Sequence, residues 1–334
     1  MGSSSYSDAV YTARLADHAA KGTSMFTHDA DIKAGRSENK VHEKLDPARA
    51  NTGGKLVRES VDSPTHPLSR AVAVLFDVTG SMHAVPNRFK DKLNTLMALL
   101  VKKGYIEHPH VMFGAIGDAT CDKVPLQVGQ FEGGNEMDEA LSLIVLEGGG
   151  GGQQTESYEL AMYFMSRHAE MDCFNKRSQK GYLFISGDEL PYPAVKASEV
   201  KRIIGETIQS DIPTEKILEE LRDKFEVFWI VPEEGSYIND PHVMEPLRKM
   251  FGQNLLILKD AKDVCELIAA TIGVAEGYDI HEVATALKDI GADADSVSRA
   301  STALTAYAAS AAVTKGASVT GKLAVAGADK VERL

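Results

Sequence analysis

The stretch AVAVLFDVTGSM, residues 71–82, decides how the chain is read. An apolar run from Ala71 to Phe76 ends in Asp77, and two hydroxyl residues follow at alternate positions, Thr79 and Ser81, with Gly80 between them. A buried strand that ends in Asp-x-Thr-x-Ser delivers one carboxylate and two hydroxyls to a tight loop around a single point. Such a set of hard oxygens suits a small divalent cation.

Outward from this stretch, residues 70–275 alternate strand and helix signals, as a doubly wound α/β domain does. Strands are expected at 71–76, 110–116, 124–131, 181–185, 227–231 and 255–258. Pro125 limits central pairing and sends the 124–131 strand to an edge. Helices are expected at 86–103, 137–146, 156–167, 195–207, 213–224 and 263–274. In the first of these, Phe89, Leu93, Leu96, Met97 and Leu100 recur at helical spacing, and Gly104 stops the helix. Leu160, Tyr163 and Phe164 share one side of the 156–167 helix, and Met162 and Met165 are expected in the core. Thr214 or Asp211 is available to cap the 213–224 helix.

In open α/β sheets, ligands bind beyond the carboxyl ends of the strands, where the strand order reverses. Asp77, Thr79 and Ser81 follow the first strand, and Asp188 follows the 181–185 strand. Thr155 opens the helix that comes after the glycine run Gly148 to Gly152. A 3-2-1-4-5-6 order would make those two strands neighbours at the switch and set Asp77 across from Asp188. Two carboxylates that close repel unless a cation or a proton sits between them. The hydroxyls of Thr79, Ser81 and Thr155 favour the cation.

Together, the DVTGSM loop, the glycine-led Thr155 and the post-strand Asp188 resemble a von Willebrand factor type A (vWA) domain over roughly residues 69–274. That family carries a metal-ion-dependent adhesion site (MIDAS) of the form Asp-x-Ser/Thr-x-Ser, with a separate Thr and a separate Asp. The resemblance implies a Rossmann-like, mostly parallel sheet flanked by helices. It also implies a metal site of Asp77, Thr79, Ser81, Thr155 and Asp188, holding Mg²⁺ or, as a close substitute, Mn²⁺. The sequence departs from the family in two places. Ser186-Gly187-Asp188 puts the Asp one residue late and makes Glu189 a competing ligand, and the run of five glycines is longer than usual. By the same resemblance, a partner's Asp or Glu fills an open coordination position. Stand-alone intracellular bacterial and phage proteins of this kind act with a MoxR-like AAA+ ATPase, which makes such an ATPase the expected partner.

Residues 1–69 form a polar N-terminal arm with too few large apolar residues for a core of its own. It is expected either to wrap the main domain or to be tethered to a partner. A helix is expected at 7–20, with Val10, Leu15 and Ala19 roughly on one face. Beyond residue 275 a helix at 280–290 leads to an Ala-rich helical stretch around Leu304 and Tyr307. A mobile tail from Thr314 to Leu334 is expected to follow. The alternative reading of these segments is structural, with the chain as a component of a phage particle or other large assembly.

Composition bounds the rest. The net charge of −12 over 334 residues argues against a nucleic-acid partner. Three scattered cysteines, Cys121, Cys173 and Cys265, form no metal-binding spacing and suggest a reducing compartment, each as a small buried residue. The first residues lack the features of a secretory signal, and no apolar run reaches the length of a membrane span, so a soluble cytoplasmic protein is expected. Catalysis is not expected. A haloacid-dehalogenase-like phosphatase needs a second Asp where Thr79 stands, and Ser81 and His83 on one loop do not form a dyad. No Gly-Lys-Ser/Thr follows the glycine run, which excludes a nucleotide P-loop and leaves a flexible loop tip. Asp118 reads as a turn residue after the second strand, and His108 and His110 as packing or surface residues without a third ligand.

Overall fold

The computed structural model describes residues 5–49, 51–52, 55–80, 82, 84–149 and 154–326. Its main sheet has six strands: β1 (Ser69–Asp77), β2 (His108–Ile116), β3 (Leu126–Val128), β4 (Gly181–Ser186), β5 (Phe225–Pro232) and β6 (Leu255–Leu258). The order is β6-β5-β4-β1-β2-β3, which is the 3-2-1-4-5-6 arrangement and makes β1 and β4 neighbours. All neighbours are parallel except β3, the edge strand, which runs antiparallel to β2.

The apolar run at 71–76 follows from cover on both faces. Val72, Val74 and Phe76 face one core, with Phe89 and Leu93 of α2 (Ala84–Met97) and Ile268 and Ile272 of α6 (Val264–Glu276). Ala71, Ala73 and Leu75 face the other. There they meet α3 (Tyr158–His168), α4 (Thr214–Lys224) and α5 (Pro241–Phe251), and Met162 and Met165 are buried as expected. The fold is therefore a doubly wound, mostly parallel α/β sheet with helices on both sides.

Both terminal segments pack on this body. The N-terminal helix α1 (Asp8–Lys21) is present; Leu15 packs against the core as expected, but Tyr11 is buried beside it while Val10 is 48% exposed and Ala19 faces out. Phe26 and Leu45 join the same core. The Leu45 carbonyl accepts from the Val128 amide at 2.8 Å, and Arg58 donates to the Val128 carbonyl at 2.9 Å. The arm thus covers the open edge at β3 and satisfies backbone groups that an uncovered edge strand exposes. At the other end, α7 (Ile280–Asp289) and α8 (Ala294–Ala326) follow α6. Leu304 is fully buried, and Tyr307 stands edge-on to Phe228 of β5 at 5.1 Å. The helix runs through Ala326, and residues 327–334 lie outside the described residues.

Other local expectations change. The helix expected at 156–167 begins at Tyr158, because Thr155–Glu156 pairs in parallel with Leu190–Pro191. The helix expected at 195–207 is a single turn, Ala197–Glu199, running into a π-helical turn, Val200–Ile204. Neither Thr214 nor Asp211 caps α4: Pro213 holds the cap position, and Asp211 accepts instead from the Ala197 amide at 2.9 Å. Helix α5 was not expected. Asp240 caps it through the His242 amide, and Val243, Met244, Leu247 and Phe251 bury its inner face around Pro246. Cys121 is exposed rather than buried. Among the described residues, no helix is long and apolar enough to cross a membrane.

Candidate metal centre

Asp77 closes β1 opposite Ile116 of β2 and is fully buried. Its Oδ1 accepts from the Thr79 amide at 2.8 Å and from the Thr79 hydroxyl at 2.6 Å. The amide bond is the local turn that an Asp makes with the backbone two residues on, and it explains why the strand stops here. Its Oδ2 accepts from the Tyr158 phenol at the start of α3.

The glycine run closes over this turn. Gly148 donates to the Val78 carbonyl at 3.0 Å, and Gly80 donates to the Gly149 carbonyl at 2.7 Å. A Cβ at Gly80 would lie 3.3 Å from that carbonyl, so glycine permits the close approach. Gly148 and Gly149 are therefore docked backbone rather than a loop tip. Ser81, His83 and Gly150 to Gln153 lie outside the described residues.

From the neighbouring strand, Ser186 of β4 lies in register with Phe76. The chain leaves β4 at Gly187, whose amide donates to the Ile230 carbonyl at 3.0 Å and whose carbonyl accepts from Trp229 Nε1 at 2.9 Å. Asp188 is fully buried, and its Oδ2 accepts from the Ser236 amide at 2.6 Å. Glu189 is buried as well. The pairing of Thr155–Glu156 with Leu190–Pro191 brings Glu156 beside Glu189. Asp118 makes the expected turn, accepting from the Thr120 amide at 2.8 Å. It is also fully buried, accepts from the Tyr192 hydroxyl at 3.0 Å, and adds its charge to Glu156 and Glu189.

This crowding of carboxylates shapes the electrostatics. Burial pushes Asp77 up to about 6, against the hydrogen bonds from Thr79 and Tyr158, and the charge of Asp188 raises it further. Burial, then the charge of Asp77 and the hydrogen bond to Glu189, push Glu156 far above the usual carboxylate range. Burial also lifts Glu189, while that hydrogen bond pulls it back. Burial and the Asp77 charge keep the Tyr158 phenol protonated.

The residues present fit a divalent cation. Ser186 Oγ, Glu156 Oε2 and Glu189 Oε2 are buried and make no hydrogen bond among the described residues. Each buried polar atom left without a partner costs about 1–3 kcal/mol. A cation with its water shell supplies those partners and offsets the repulsion among the neighbouring carboxylates. Among the described residues, no three His, Cys, Asp or Glu side chains form a ready set of direct ligands. The fit is accordingly to a site of mixed hydroxyls, carboxylates and waters.

Of the residues singled out in the sequence, Asp77 and Thr79 after β1 and Asp188 after β4 are all buried at the strand switch, close enough for the charge of Asp188 to act on Asp77. Thr155 is half-buried, one residue before Glu156; Ser157 rather than Thr155 precedes α3 as its cap residue, and its hydroxyl accepts from the Ala119 amide at 2.8 Å. Glu156 and Tyr158 escaped the sequence reading. Their signal was present as two polar residues within three positions of Thr155, in a segment read as the first turn of a helix.

The sequence matches no protein-family model and no curated protein. Among solved structures, the chain is similar to the open conformation of the pilus adhesin SpaC from Lactobacillus rhamnosus GG, at 11% identity and a TM-score of 0.45, over 66% of this chain and 31% of that one. It is similar to proximal thread matrix protein 1 from the mussel byssus, at 11% identity and a TM-score of 0.38, over 61% and 48%. It is also similar to a von Willebrand factor type A structure from Catenulispora acidiphila, at 13% identity and a TM-score of 0.35, over 63% and 43%. The chain thus spans less than half the length of each of these proteins, and the likeness is one of fold alone.

Proposed function

We propose that the chain is a vWA-like protein-binding module. Its crevice between β1 and β4 takes Mg²⁺ or Mn²⁺ through Asp77, Thr79 and Ser81 with Thr155 and Asp188, and offers the cation to an Asp or Glu of a protein partner. The observation that carries this reading is the burial of Asp77, Glu156, Asp188 and Glu189 together at the strand switch, beside buried Ser186, Glu156 and Glu189 oxygens that make no hydrogen bond among the described residues. When bound, the cation supplies an electrophilic position for the incoming carboxylate. The chain's own residues hold the site: Thr79 and Tyr158 fix both oxygens of Asp77, and the Ser236 amide fixes Asp188. Recognition is preferred to catalysis because Thr79 stands where a phosphatase of similar topology needs its acid. A MoxR-like AAA+ ATPase is the partner class proposed, on the family resemblance of the Asp77 loop.

The experiment is calorimetric titration of the full chain with Mg²⁺ and Mn²⁺, alone and with an acidic partner peptide, followed by affinity capture with and without chelator. Metal binding that is lost in Asp77→Ala, together with chelator-sensitive capture of an ATPase, supports the reading. Absence of binding to either metal under both conditions overturns it. Metal-independent self-assembly that requires residues 1–69 or 276–334 would favour an assembly component instead.

A further inference from the structure

The fully buried Tyr158 touches both halves of the site. Its hydroxyl is bonded to Asp77 Oδ2, the oxygen that Thr79 leaves to it. Its ring packs edge-on against Trp229 at 4.7 Å, and Trp229 in turn donates to the Gly187 carbonyl at 2.9 Å. A Cβ on Gly187 would collide with the phenol, so the tyrosine lies directly against the backbone that leads into Asp188. One side chain thus fixes the carboxylate after β1 and abuts the loop after β4. Both aromatic residues are fully buried, so the phenol has no room to swing away.

We propose that Tyr158 is the positioning residue of the cation site, holding Asp77 in the orientation that binds metal and setting the approach of the Asp188 loop. The inference rests on the metal reading above. Its physical basis is that removal of the phenol hydrogen leaves a buried carboxylate oxygen without its donor and lets the carboxylate turn. Tyr158→Phe removes that donor and keeps the ring against Trp229.

The test is titration of the full chain and of Tyr158→Phe with Mg²⁺, read by calorimetry and by the emission of Trp229, the single tryptophan of the chain. The expected result is a Kd raised about 10- to 100-fold in Tyr158→Phe, as for lost hydrogen bonds to metal ligands. The Trp229 signal is expected to move along the metal axis by the same factor while the circular dichroism stays that of the parent. A purely packing role would leave both readouts at parental values, and that result overturns the proposal. Gly187→Ala, whose methyl displaces the phenol, serves if Tyr158→Phe does not fold: weakened Mg²⁺ binding supports the proposal, and unchanged binding overturns it. Parent chain that binds no Mg²⁺ defeats the metal reading itself, whereas parent and Tyr158→Phe binding alike defeats only this inference.

Discussion

Thr79 gives two hydrogens to one oxygen of Asp77, its amide at 2.8 Å and its hydroxyl at 2.6 Å. The hydroxyl hydrogen is thereby committed to the carboxylate, and the lone pairs of Thr79 Oγ1 remain for another partner. A hydroxyl locked as donor on one side is an acceptor on the other, as a cation ligand requires.

Thr79→Ala removes that oxygen and one of the two bonds. Metal affinity is expected to fall at least tenfold. Stability is expected to fall by about 1.5–3 kcal/mol, the range for a hydrogen bond to a charged group. Thr79→Ser retains the donor and is expected to restore both. Calorimetric metal titration and urea unfolding of the three proteins check this.

Glu189 shares a hydrogen bond with Glu156 and feels the charges of both Asp77 and Asp188. Glu189→Gln keeps an acceptor for Glu156 and removes one charge from the cluster. The metal-free protein is expected to gain about 0.5–2 kcal/mol, as is common when a strained functional site is relieved. The rise in Tm on adding Mg²⁺ is expected to shrink, because the cation then has less repulsion to cancel. Thermal unfolding with chelator and with Mg²⁺ measures both effects.

The alternation of strands and helices and the Asp77 turn were legible because they rest on local signals: apolar runs of strand length, one of them ending in Asp, and hydroxyls two residues apart. Glu156 and Tyr158 were not, since their partners lie far off in sequence. Tyr158 and Asp77 are 81 positions apart. Tyr158 looked like an ordinary first-turn residue until the fold set it under Asp77. Helix α5 was hidden differently. Its Val243, Met244 and Leu247 have helical spacing behind an Asp240 cap, but Pro246 argues against a helix interior. The composition of the N-terminal arm left two fates open, and the packed one holds: a few residues, Tyr11, Phe26 and Leu45, anchor it, and their weight lies in what they touch rather than in their number.

His110 links the arm to the sheet. Its Nδ1 pairs with Ser60 Oγ at 3.2 Å and its Nε2 with His66 Nδ1 at 3.2 Å. Burial pushes His110 down to about 4, the neighbouring His66 and His108 add to this, and Asp62 opposes it. The unfolded chain protonates this group near 6.5. Between pH 6.5 and 4 the unfolded state therefore binds a proton that the folded state refuses, and stability falls as the pH falls, by roughly 3 kcal/mol in total. His110→Gln is expected to flatten that slope. Urea midpoints measured from pH 7 to pH 4.5 check the difference.

Asp263 decides whether the C-terminal segment belongs to the body of the protein. Its buried carboxylate accepts from Ser296 Oγ at 2.6 Å, and from Arg299 Nε at 2.5 Å and Nη2 at 3.2 Å. Asp263→Ala takes from Arg299 its nearest carboxylate, whereas the buried Ser296 hydroxyl keeps Asp293 Oδ2 at 2.8 Å as an acceptor. Breaking one partner of a buried ion pair costs about 3–5 kcal/mol. The Arg299 side chain is 26% exposed and recovers some water, which places the expected loss near the lower end of that range. Leu304→Ala, one turn and a half further along α8, is expected to cost about 2–5 kcal/mol through the cavity it leaves. A segment held in reserve for a partner would show neither loss. Urea unfolding of both variants, with limited proteolysis of 294–326 alongside, distinguishes the two: cleavage confined to the variants marks the segment as part of the folded core, and equal cleavage in the parent marks it as a docking arm.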